Sequence, residues 1–209
     1  MFFEISMFKT IVEAVISILP TLEKMGPMLS ELKLDKVLEA IAKIIQTVAE
    51  ILGCGHANIE ELGAKAEQSG LNPDDFETYD DYMKALYEFQ LDPAKMDEIP
   101  LEVRLARGIS VVLQRIEDLF PVGVEDLLPE LVGKKRADFF TPVRIAALLD
   151  SFAQADLAMR DMIKYFDSGL GVSASLRVED AMVNAEKQLK ENAGKTDDEL
   201  LDRIQQQRN

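Results

Sequence analysis

One cysteine and one histidine, Cys54 and His56, stand two positions apart in a stretch flanked by Gly53 and Gly55. A thiol becomes a catalytic nucleophile when a base within hydrogen-bond reach takes its proton and a third group orients that base. Two-residue spacing in a glycine-flanked turn controls neither side chain's direction, and the chain has no second histidine to complete a relay. An isolated cysteine more commonly packs as a small hydrophobe. As a metal site the pair would need two further ligands, which scattered carboxylates would supply with little selectivity. No metal site and no cofactor are therefore expected.

Carboxylates are the other source of chemistry. With 38 Asp and Glu residues, an acid–base pair of the glycosidase kind is conceivable, but abundance says nothing about which two would meet. The run from Asp74 fails as a calcium loop, because the ligand spacing is wrong and no glycine follows until Gly108. Phosphate-cradling loops are missing: there is no GxxxxGK[ST] and no GxGxxG, and Gly53-Cys54-Gly55 and Gly169-Leu170-Gly171 are too short to replace them. The expected class is non-enzymatic.

Charge points elsewhere. The chain carries −15 overall, and residues 57–103 hold thirteen acids against three bases. A field of that sign repels phosphate backbones, so direct nucleic-acid binding is not expected, while a basic protein is attracted. Within this region Phe76, Tyr79, Tyr82, Leu86 and Phe89 recur at three- and four-residue steps. Such spacing lines one helical face, which serves either a core or an interface, since aromatics bury large areas in both. Asp74, Asp75, Asp80 and Asp81 crowd the start of those turns, where a helix dipole favours acids. These nine residues are the candidate partner-binding set. Lys134-Lys135-Arg136 is the one basic cluster and reads as a solvated turn or a source of internal salt bridges.

The elements that must position these groups read as helices. Residues 2–19 are apolar around most of a helical circumference, interrupted by Glu4, Ser6, Lys9, Thr10, Glu13 and Ser17. They fit a secretory signal poorly, having acid within the apolar run and no basic leader. They fit a bilayer span poorly as well, since charged residues interrupt them and Pro20 ends the run near the minimum length. A short helix over 21–33 breaks at Gly26-Pro27. Apolar residues from Leu34 to Leu52 predict a helix with Asp35 as N-cap and Gly53 as stop. Further helices are expected over 58–68, through the acidic aromatic run after Asn72-Pro73, from Pro100 to Phe120, from Thr141-Pro142 to Asp167, from Ser173 or Ser175 to Asn192, and from Thr196. Short turns at Asp92-Pro93 and EDLLPELV complete the set. The run Ile109 to Leu113 could pass for a strand, but its flanks keep the helical period.

The expected fold is all-α, a multi-helix bundle of about seven to nine helices with an N-terminal apolar helical hairpin, a size suited to 209 residues. The expected domains are the hairpin, 1–53, and an acidic helical domain, 54–209, packed together as one unit. The leading functional expectation is protein–protein interaction, as an adaptor, inhibitor or structural component, with a basic partner or a second copy of the chain. A membrane-active or exported protein using the N-terminal hairpin through residues 2–19 is the first alternative. An acidic decoy of a nucleic-acid-binding protein is the second. A lone cysteine excludes an internal disulfide, which fits the cytoplasm without excluding export by a route independent of a signal peptide.

Overall fold

The computed structural model describes residues 34–55, 58–133, 136 and 138–208. These residues form ten α-helices and three 3-10 turns, and no strand appears among them. The expected helices over 2–19 and 21–33, and with them the expected N-terminal hairpin, lie outside the described residues. Among the described residues no helix is long and apolar enough to cross a membrane. The chain divides into two compact units, Met1–Asp118 and Leu119–Asn209.

In the first unit, α1 (Leu34–Ile51) buries Val37, Leu38, Ile41, Ala42, Ile45, Val48 and Ala49, the three-and-four spacing of a single apolar stripe. Asp35 lies inside its first turn rather than before it. At the other end Gly53 takes φ 72°, and the Cys54 N–H donates to the Ala49 carbonyl at 2.8 Å, closing the helix as glycine in the left-handed region does. Asn58 caps α2 (Ile59–Ser69) by accepting from the Glu61 N–H. The acidic run is interrupted. Pro73–Asp75 is a 3-10 turn, and α3 (Tyr79–Glu88) begins only after Thr78, whose hydroxyl accepts from the Asp81 N–H. A single helical turn, α4 (Pro93–Met96), leads to α5 (Leu101–Leu119).

Helix α5 is covered on all sides at its middle: Gly108, Ile109, Ser110, Val111, Val112 and Leu113 are all buried. That is why Ile109 to Leu113 looks like a strand; a helix enclosed by others needs no polar face. Helix α5 meets α2 at close approach. A Cβ added at Gly63 would come 1.7 Å from the Arg104 carbonyl oxygen, and one added at Gly108 would come 1.8 Å from that of Ile59. The two backbones therefore touch. Salt bridges flank the crossing, Arg104 to Glu60 at 3.0 Å and Arg107 to Glu67 at 3.5 Å.

The second unit starts with a 3-10 turn at Val124–Leu127 and α6 (Leu128–Gly133). The single helix expected from Thr141 to Asp167 is two: α7 (Pro142–Gln154) and α8 (Met159–Phe166). Asp156 causes the break. It adopts φ 51°, and the Leu157 N–H donates to the Phe152 carbonyl at 3.0 Å, so an aspartate fills the left-handed position that usually belongs to glycine. Ser168, at φ 58°, ends α8 in the same way. Then α9 (Val172–Lys187) packs along α7 and against α8 and α10 (Asp197–Gln205). It begins directly after Gly171 and stops earlier than expected, yielding to a 3-10 turn at Lys190–Asn192. The box at Thr196 and Glu199 opens α10 as expected, each residue bonding the other's backbone. Two of the ten helices, α4 and α6, are the short turns of the sequence reading, and the break at Asp156 adds another.

The core of this unit contains charge. Arg144 is 1% exposed and Glu186 is fully buried, and the Arg144 Nε donates to Glu186 at 2.5 Å. The remaining guanidinium nitrogens reach the Phe139 carbonyl at 2.8 Å and Glu191 at 2.5 Å. Asn192 donates to the second Glu186 oxygen at 2.7 Å, and the Arg144 guanidinium lies 5.0 Å from the centre of the Phe139 ring. With both charges paired and their remaining polar atoms bonded, burial is tolerated.

Three stability outcomes follow from these contacts. Gly108→Ala should lower the unfolding free energy by about 3 kcal/mol or more, since the added methyl meets rigid backbone. Gly171→Ala, where a Cβ meets nothing within 4 Å and only the helix N-cap preference is lost, should cost no more than about 1 kcal/mol in the same urea titration; equal effects at the two sites would refute the crossing. Arg144→Met alone should cost about 3–5 kcal/mol by stranding Glu186, and the double variant Arg144→Met, Glu186→Leu should recover most of that loss. Asp156→Gly should raise stability by about 1 kcal/mol by relieving the left-handed backbone, read as a higher thermal midpoint.

Candidate functional site

The site with the most varied chemistry lies in the first unit, where the turn after α1 faces α3. Gly53, Cys54 and Gly55 form one wall; Asp80, Met83, Lys84, Tyr87 and Glu88 of α3 form the other, with Arg115 of α5 at the base. Together they line an open groove of about 410 Å³. Its floor continues into a small void of about 10 Å³ bounded by Ala49, Leu62 and Val112.

Three links hold α3 in place. The Tyr79 hydroxyl donates to the Val111 carbonyl of α5 at 2.8 Å. Arg115 binds Asp80 at 2.6 Å and Asp118 at 3.2 Å. Lys65 of α2 donates to the Tyr87 carbonyl at 3.1 Å. Arg115 is thus engaged by two carboxylates, and the groove's charged lining balances, Asp80 and Glu88 against Lys84 and Arg115.

Cys54 is half-buried, and His56 lies outside the described residues, so the sequence pair is represented by its thiol alone. Burial pushes the Cys54 thiol above its ordinary range, and the nearby Arg115 charge opposes this only in part. Tyr87 responds in the same way, its phenol raised first by burial, with Arg115 again opposing. A protonated thiol is a poor nucleophile, so the groove at neutral pH offers an apolar floor, a phenol and balanced charges rather than a thiolate. Among the described residues no three His, Cys, Asp or Glu side chains gather into a group that could hold a metal ion.

The nine residues singled out from the sequence separate into two populations. Phe76 and Phe89 do not share the helix with Tyr79, Tyr82 and Leu86, because both have extended backbone just beyond it. The expected single aromatic face is therefore shorter than its spacing suggests. Tyr82 is 1% exposed and Leu86 fully buried, so both belong to the core and offer a partner no surface. Phe76 and Tyr79 are partly buried and pack their rings on Tyr82, with centroids 5.7 and 5.3 Å apart. Phe89 is also partly buried. The acids turn the other way: Asp74, Asp75, Asp80 and Asp81 are all exposed.

Tyr87, Lys84, Glu88 and Arg115 were not singled out by the sequence. Tyr87 had a signal: it stands one residue past the buried Leu86, about 100° around the helix and off the apolar stripe. It remains 43% exposed. Arg115, 61 positions after Cys54, had none.

In the second unit, Arg136 of the basic cluster is an internal residue. Its side chain is 5% exposed, binds Glu130 at 2.8 Å and lies 4.8 Å from the centre of the Phe166 ring. Its Nε donates to the Gln207 carbonyl at 2.8 Å. This matches the salt-bridge reading of that cluster, while Lys134 and Lys135 lie outside the described residues.

No protein-family model, curated protein or solved structure matches the chain. The functional reading rests on the geometry alone.

The raised Cys54 thiol makes a direct prediction. Alkylation by iodoacetamide should be slow at pH 7 and should reach half its maximal rate above the pH at which a free cysteine does. Arg115→Ala should move that midpoint further up, because it removes the charge that favours the thiolate. A rate already saturated below pH 8 would refute the assignment.

Proposed function

We propose that the protein acts by protein–protein contact, presenting the outward face of residues 74–88 to a basic partner. One observation carries this reading. Of the nine exposed residues in that stretch, six are acids (Asp74, Asp75, Glu77, Asp80, Asp81 and Glu88), one is a lysine, and the others are Thr78 and Tyr87. The same segment turns Tyr82 inward with Phe76 and Tyr79 packed on it, which fixes the acids on a supported surface. A predominantly acidic face steers an oppositely charged partner into encounter and disfavours partners of like charge. Tyr87 adds the type of side chain that anchors interfaces, large in area and low in lost entropy.

The reading gains from what the groove lacks at neutral pH. Its thiol is held protonated, and its arginine is already bound by two carboxylates. Both features suit a scaffold for contact better than a reaction centre.

The test compares the native chain with a variant carrying Asp74→Asn, Asp75→Asn, Glu77→Gln and Asp81→Asn. Immobilised native protein should retain a basic partner near physiological ionic strength and release it near 1 M salt, where screening acts within about 3 Å. The variant, equally folded by circular dichroism, should retain at least tenfold less. Equal retention by both proteins, or binding indifferent to salt, would overturn the proposal.

A further inference from the structure

We draw no further inference here: the strongest candidate, the open groove between the Gly53–Gly55 turn and α3 that holds Cys54 and Tyr87, has two acids balanced by two bases along its walls, and nothing in the structure shows what covers it.

Discussion

Helices α2 and α5 meet at Gly63 and Gly108 with their backbones in contact, and the first unit is arranged around that meeting. A crossing without side chains between the helices lets their flanking residues interlock, here through Arg104 with Glu60 and Arg107 with Glu67. Once α2 and α5 are joined, both offer sites to the segment between them. Val111 and Arg115 of α5 take Tyr79 and Asp80, while Lys65 and Gln68 of α2 take the carbonyls of Tyr87 and Asp92. The acidic helix is thereby held on two supports. Its orientation follows from a packing choice made at two glycines distant from it in sequence. Glycine is an unfavourable helix former by about 1 kcal/mol, so two of them inside helices are retained against propensity. Close approach supplies the compensation.

The second unit meets a different constraint. Its α7 and α9 pack along each other with an arginine and a glutamate inside the contact. The pair is tolerable because the Phe139 carbonyl, Glu191 and Asn192 take up the remaining donors and acceptors. An apolar pair could hold the helices equally well. What the ionic pair adds is register, because a one-residue slide of α9 would move Glu186 away from Arg144 and strand both charges. Arg136 applies the same logic at the edge of this unit, tying Glu130 and Asp167 to the carbonyl of Gln207. Its left-handed backbone, φ 63°, is unfavourable for a side-chain-bearing residue and is held by those bonds.

The elements with strong periodicity could be read from the chain, and the places where it failed have physical causes. Apolar spacing located α1 and α5, the capping pattern of Asn58 with Glu61 located α2, and Gly53 marked the end of α1 because glycine occupies the left-handed region at no steric cost. The break between α7 and α8 was hidden because Asp156, not glycine, holds that conformation. The aromatic stripe was overextended because spacing alone continues through a helix start. Thr78 with Asp81, a residue pair typical of helix N-termini, shows where α3 begins and leaves Phe76 outside it. The close approach at Gly63 and Gly108 is visible only in the packing, since an isolated glycine inside a helical pattern does not say which backbone comes near it. The groove itself had no local signal. Cys54, Tyr87 and Arg115 come together through tertiary packing, which single-chain spacing does not encode.

The acidic segment divides its residues by chemistry, and that division bears on what it can do. Tyr82 is turned into the core and Phe76 and Tyr79 pack their rings on it, leaving Tyr87 as the large exposed ring of the segment. A face with little apolar area draws modest affinity from burial, so in the proposed contact charge would govern encounter. Asp80 shows that the charge is arranged as well as abundant: Arg115 binds it, yet its side chain remains 72% exposed. The salt bridge positions that carboxylate without removing it from solvent. Helix dipole and capping do the same for Asp81, which accepts from the Thr78 hydroxyl at 2.7 Å while staying exposed. Fixed acids lose less entropy than mobile ones when a cation docks between them, so the bonds that organise this helix also preorganise its surface.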